Sequence, residues 1–126
     1  MEYVALVTIL LISQYTIFIM LVGAARGKSG IKAPAVTGDE NFERAYRVQM
    51  NTLEQLVIAL PAMWVAGWYF DAMVAALLGL AFFIGRVIYR AAYVRAPEKR
   101  GIGFGIGLLA VLGMIGTAAW GVISAL

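Results

Sequence analysis

The sequence contains neither cysteine nor histidine, and their absence excludes several kinds of chemistry. Without them the chain has no disulfide framework, no thiol nucleophile, no imidazole base and no zinc site of the usual ligand set. We therefore expect no metal ion. Any functional site must use Arg, Glu, Asp, Tyr, Asn, Gln, Ser or Thr side chains.

Charge is scarce as well: only 13% of the 126 residues are Asp, Glu, Lys or Arg, and 63% are hydrophobic. An ordinary soluble domain has about 25% charged residues, so this chain is too apolar to be either soluble or disordered. The formal net charge of +3 is too small and too dispersed for a nucleic-acid partner. The length predicts a single domain, residues 1–126.

Long stretches of the chain carry no charge at all. Residues 3–25 and residues 101–126 contain no charged side chain, and each stretch exceeds the roughly 20 residues that cross a bilayer as a helix. Two more apolar segments, at about 48–70 and 72–94, carry only one acid and two arginines between them. The sequence therefore predicts an all-α integral membrane protein, a bundle of four transmembrane helices.

The basic residues that flank these segments predict the orientation in the membrane. They cluster in two loops, after the first and the third helix, as Arg26, Lys28, Lys32, Arg44 and Arg47, and as Arg95, Lys99 and Arg100. The turn near Asp71 and the two chain ends have no Lys or Arg. The positive-inside rule places both basic loops in the cytoplasm and both termini on the opposite side.

The fourth apolar segment is rich in glycine. Glycines between residues 101 and 107 resemble a nucleotide-binding loop, but no strand precedes them, so that interpretation is rejected. Gly101 with Gly105, and Gly103 with Gly107, are instead pairs of small residues spaced to let helices approach closely in lipid.

Polar side chains within the second and third segments are the candidates for function. Arg47, Asn51 and Glu54 share one helix face, and Gln49 lies near the same end of the helix. The third helix repeats this pattern with a second stripe, formed by Arg86, Tyr89, Arg90 and Tyr93. We expect both stripes to face inward.

The charges in the bundle are unequal, since one acid faces four arginines. One interpretation is a buried ion pair between Glu54 and an arginine that only holds the helices together. It leaves a surplus of guanidinium groups, which are costly to bury unpaired. The surplus, drawn from Arg47, Arg86, Arg90 and Arg100, indicates an anionic ligand, because Arg binds carboxylates and phosphates with two hydrogen bonds.

Two motifs resemble those of the MAPEG family, the membrane-associated proteins in eicosanoid and glutathione metabolism. They are residues 42–54, Phe-Glu-Arg-Ala-Tyr-Arg-Val-Gln-Met-Asn-Thr-Leu-Glu, and residues 85–93, Gly-Arg-Val-Ile-Tyr-Arg-Ala-Ala-Tyr, with Arg100 beyond them. The resemblance covers nearly the whole chain. It implies a homotrimer of four-helix subunits that binds glutathione, as co-substrate, at subunit interfaces near the cytosolic face.

The resemblance also implies roles for individual residues. Arg100 resembles the arginine that stabilises the glutathione thiolate, and Glu54 resembles the partner of its ammonium group. Four arginines resemble those that bind its carboxylates: Arg26, Arg47, Arg86 and Arg90. Four further residues resemble its polar contacts: Gln49, Asn51, Tyr89 and Tyr93.

The function expected from this resemblance is a glutathione transferase, with or without peroxidase activity, that acts on lipophilic electrophiles in membrane lipid. Gly27 and Gln55 differ from the family members that conjugate lipids, which favours a general transferase. A non-catalytic, lipid-binding member of the family is one alternative. A small multidrug exporter is another, but it would need an acid in the first helix, and residues 3–25 contain none.

Overall fold

The computed structural model describes residues 1–126 as four long α-helices joined by short connections. The helices are α1 (Glu2–Ser29), α2 (Glu40–Tyr69), α3 (Ala72–Arg95) and α4 (Gly101–Ala125), with a 3-10 helix (Pro97–Lys99) before α4. The prediction of an all-α protein with four helices is therefore confirmed.

The helix ends follow from local side-chain chemistry. Asp39 caps α2 by accepting a hydrogen bond of 2.9 Å from the backbone N–H of Phe42, and Asp71 caps α3 through Val74 at 2.8 Å. α1 ends at Gly30, whose φ of 74° is the left-handed conformation that glycine adopts without a steric penalty. The two aspartate caps fix where α2 and α3 begin, and α2 begins eight residues before the apolar segment that starts near residue 48.

Three of the helices, α1, α3 and α4, are long and apolar enough to cross a membrane. α2 does not belong to this group, because its first half is polar. Its 30 residues would nevertheless extend about 45 Å. α2 also packs along the other three helices over most of its length, because it contacts each of them and its buried residues extend from Phe42 to Ala66. That all four helices span the membrane stays a prediction.

The closest contact between helices is that of α3 with α4. Gly103 lies directly against the backbone of Tyr89, and Gly85 lies against the backbone of Gly107. The predicted pair of Gly103 and Gly107 is buried in this contact. The other predicted pair makes no such contact within the chain, since a side chain at Gly101 or Gly105 would meet nothing within 4 Å.

Candidate functional site

A cavity of about 650 Å³ opens between α2, α3 and α4, at the end of the bundle that carries the basic loops. Its lining residues are Arg47, Asn51, Tyr89, Tyr93, Glu98, Arg100, Gly101 and Phe104. Five of the ten predicted site residues are among them: Arg47, Asn51, Tyr89, Tyr93 and Arg100. We call this cavity the arginine pocket.

On the α2 wall of the arginine pocket, Arg47 forms an ion pair with Glu54, which does not itself line the pocket. Arg47 and Glu54 stand two helical turns apart, so their side chains meet on one face, with 3.2 Å between Nη1 and Oε1. Both side chains are about half exposed. Within this chain the pair is neither buried nor formed between two helices, because both residues belong to α2.

The α3 wall is aromatic. The rings of Tyr89 and Tyr93 lie 5.5 Å apart, and Phe104 of α4 lies 6.3 Å from Tyr89. Tyr89 is almost completely buried, whereas Tyr93 and Phe104 are partly accessible. The pocket thus has an apolar side next to its cationic side.

Arg100 stands at the start of α4, where backbone N–H groups are free and the helix dipole adds positive potential. Its guanidinium donates a hydrogen bond of 2.9 Å to the carbonyl of Pro97 and forms no ion pair, although Glu98 lines the same pocket. The other two basic residues of this turn, Arg95 and Lys99, do not line the pocket. The structure therefore distinguishes Arg100 from its neighbours.

Arg86 lies behind the pocket wall. Only 1% of this residue is exposed, so no ligand in the pocket can reach its guanidinium directly. The guanidinium donates to Asn51 Oδ1 at 2.7 Å and to Thr52 Oγ1 at 3.2 Å, and it lies 4.1 Å from the ring centre of Tyr89. In this chain its contacts hold two pocket residues in place, which differs from the predicted contact with a ligand carboxylate.

The remaining predicted site residues lie on the α1 side of the bundle. Arg26 donates to the carbonyl of Ala35 at 2.7 Å and covers the ring of Phe42. Gln49 donates to the hydroxyl of Tyr15 at 3.1 Å. The structure does not bring either residue, or Arg90, to the arginine pocket.

Three residues that line the pocket were not predicted as site residues from the sequence: Glu98, Gly101 and Phe104. Phe104 follows Arg100 by four residues, so helical spacing alone could have placed it on the same face. Glu98 lies in the short turn between helices, where no periodic pattern exists to predict its direction.

The fold and this pocket define a helical membrane protein with an open cavity that has two arginines beside an aromatic wall. Residues 4–120 match the model of the MAPEG family, and the chain belongs to that family. The family suggested by the two motifs is therefore confirmed.

Two of the similar proteins carry names that agree with this membership, and a third is uncharacterized. Human microsomal glutathione S-transferase 2 is 42% identical over 89% of this chain and 78% of its own length. Bovine leukotriene C4 synthase is 36% identical over 76% of this chain and 64% of its own length. An uncharacterized protein from Synechocystis is 43% identical over 92% of this chain and 88% of its own length.

Proposed function

We propose that this chain is a membrane-bound glutathione transferase, an enzyme that joins the thiolate of glutathione to lipophilic electrophiles. The observation that carries the proposal is the arginine pocket, in which two unburied guanidinium groups, those of Arg47 and Arg100, stand beside an aromatic wall. The names of its relatives support the enzyme class.

The chemistry of glutathione is complementary to this pocket. Glutathione carries two carboxylates, one ammonium group and one thiol. Arg47 can bind a carboxylate, Glu54 beside it can bind the ammonium group, and Asn51 can bind the peptide groups between them. The cavity of about 650 Å³ is of the size that small-molecule sites have, about 300–1,000 Å³.

Within this proposal each wall has a separate task. Arg100 faces the sulfur and stabilises the thiolate, and Tyr93 and Phe104 offer apolar contact for the electrophile. Arg86 is a positioning residue, because it holds Asn51 and Tyr89 from behind. Proximity supplies much of the rate, since an oriented thiolate meets an electrophile that the bilayer concentrates. Both basic loops face the cytoplasm in this proposal, so that the pocket opens toward aqueous glutathione.

We further propose that three copies of the chain share their sites. Arg26 and Gln49 lie on the α1 side of the bundle, away from the pocket, so one copy can complete the pocket of its neighbour with them. The open row of Gly101 and Gly105 would permit close approach of that neighbour. Light scattering corrected for bound detergent should give the mass of three chains. A monodisperse monomer with full activity contradicts the shared site.

A conjugation assay tests the function itself. The purified protein in detergent is mixed with glutathione and 1-chloro-2,4-dinitrobenzene, and formation of the conjugate is followed by absorbance. The same preparation is assayed with a lipid hydroperoxide for peroxidase activity. Binding of glutathione without either reaction would favour the non-catalytic alternative. Proton-coupled efflux of cations from vesicles, without conjugation, would favour an exporter.

Glu54→Gln is expected to weaken the binding of glutathione and leave turnover nearly unchanged. Glu54 is proposed to contact the ammonium group, far from the sulfur, so its loss removes binding energy that ground state and transition state share. The KM for glutathione should rise about tenfold, as expected for the loss of one charged hydrogen bond of about 1.4 kcal/mol.

The matched control for this variant is Glu2→Gln, which removes an exposed acid at the opposite end of the bundle. It should leave both kinetic constants unchanged. An unchanged KM in correctly assembled Glu54→Gln would remove Glu54 from the binding site.

A further inference from the structure

A second open groove lies between α1 and α3, away from the arginine pocket. It consists of two cavities of about 440 Å³ each that meet at Arg90, the residue that lines both of them. None of their lining residues lines the arginine pocket. On α2 the groove meets Ala45, which is nine residues, or two and a half turns, from Glu54 and therefore projects in the opposite direction.

The cavity nearer the basic loops is lined half by polar and half by hydrophobic residues. Lys28 of α1 and Arg90 of α3 line it, and neither side chain forms an ion pair or a hydrogen bond within the chain. Asp39 also lines it and accepts the capping hydrogen bond of α2, and Asn41 lies beside it. The cavity therefore has two unpaired cations and one carboxylate, which gives it a net charge of +1.

The other cavity is apolar and follows α1 and α3 into the membrane-spanning part of the bundle. Leu10 and Ile17 line it from α1, and Phe83 and Val87 line it from α3. From Arg90 to Phe83 the groove extends about 10 Å along the helix, at 1.5 Å per residue. A cavity with two cations and an apolar cavity that suits a hydrocarbon chain thus lie next to each other, with Arg90 in the wall of both.

We propose that this groove is a binding site for one phospholipid with a net charge of −1, such as phosphatidylglycerol. The phosphate lies between Lys28 and Arg90, and one acyl chain follows the apolar cavity. The headgroup hydroxyls face Asp39 and Asn41, which can accept their hydrogen bonds. A lipid of charge −1 neutralises the cavity, whereas a zwitterionic lipid leaves it charged. Basic pockets between transmembrane helices bind anionic headgroups for the same reason.

This proposal goes beyond the proposed enzyme function and does not depend on it. Native mass spectrometry of the purified protein, released from nanodiscs with equal amounts of phosphatidylglycerol and phosphatidylethanolamine, tests it. The wild type should retain one phosphatidylglycerol per chain in preference to phosphatidylethanolamine. The double variant Lys28→Gln/Arg90→Gln should lose about thirtyfold in affinity for phosphatidylglycerol, because each cation near an anionic headgroup contributes about fivefold.

Two matched controls distinguish lipid binding in this groove from nonspecific attraction of lipid to the protein surface. Lys32→Gln/Arg95→Gln removes the same charge from basic loop positions outside the groove and should keep the preference. Ala91→Phe fills the apolar cavity without changing the charge and should lower lipid retention, whereas Ala119→Phe, on the exposed surface of α4, should not.

Three outcomes would overturn the proposal. The first is equal retention of the two lipids by the wild type. The second is equal loss in both charge variants, which would indicate diffuse electrostatic attraction. The third is displacement of the lipid by an equal concentration of soluble glycerol phosphate, which would show that the groove binds phosphate without using an acyl chain. Ala91→Phe keeps the test decisive if the double charge variant does not fold.

Discussion

In Arg100→Ala, glutathione is expected to remain bound but mainly as the thiol at neutral pH. A free thiol with a pKa of about 8.5 is only about 3% ionised at pH 7, and a guanidinium that lowers this pKa by about two raises the thiolate fraction about 25-fold. Loss of Arg100 reverses this change. Ultraviolet difference absorbance of the bound thiolate across pH measures it, and calorimetry measures the binding.

Turnover should fall less than the thiolate fraction does. A thiolate of higher pKa is the better nucleophile, with a Brønsted slope of about 0.4–0.5, so ionisation alone costs about threefold in rate at pH 7. A greater loss would measure how well Arg100 positions the sulfur. The rate of the variant should continue to rise with pH after that of the wild type has levelled off, because its thiol ionises at higher pH.

Lys99→Ala is the control for Arg100→Ala, because Lys99 belongs to the same exposed turn and does not line the pocket. It should keep the thiolate and the pH profile of the wild type. If Arg100→Ala itself keeps the wild-type thiol pKa with turnover intact, Arg100 has no part in the mechanism. The role would then pass to one of the two tyrosines that line the pocket, because Arg95 does not line it.

Gly103→Ala is expected to destabilise the bundle although it adds a single methyl group. A Cβ atom at Gly103 would overlap the backbone N and Cα of Tyr89, and backbone atoms cannot rotate away as a side chain can. α4 must move away from α3, at a cost of about 1–3 kcal/mol that should lower the melting temperature by roughly 5–15 °C. Circular dichroism in detergent measures this change.

The movement of α4 away from α3 should also change the arginine pocket, because Tyr89 lines it from α3 and Phe104 lines it from α4. Gly23→Ala is the matched control, since Gly23 is an exposed glycine of α1 with nothing within 4 Å of the added atom. It should melt as the wild type does. If Gly103→Ala melts at the same temperature as the wild type, the contact between α3 and α4 has room for the added methyl group.

Most of the fold could be predicted because its signals are local. Charge-free stretches indicate α1 and α4, and Asp39 and Asp71 cap the helices that follow them. The least predictable helix is α2, because its polar first half removes the hydropathy signal that the other three share. Its place among α1, α3 and α4 comes from packing alone.

The site could be predicted only in part, as the two arginines of the α3 stripe illustrate. Arg86 and Arg90 are one turn apart, and the sequence treats them alike. In the fold Arg86 is buried against Asn51 and Thr52, whereas Arg90 lines the groove beside α1. Helical spacing predicts which side chains lie on the same face of a helix. That face is wide enough for its side chains to contact two different helices, here α2 and α1.

The sequence by itself determined the membrane class, the number of helices, the family and the identity of the polar residues, because composition and spacing are properties of the chain alone. Only the tertiary structure decided which polar residues meet. It brought Arg47, Tyr93 and Arg100 to one pocket, and it left Arg26 and Gln49 on the α1 side. The physical reason is that lipid is as apolar as the bundle interior, so hydrophobicity does not indicate which face of a helix turns inward.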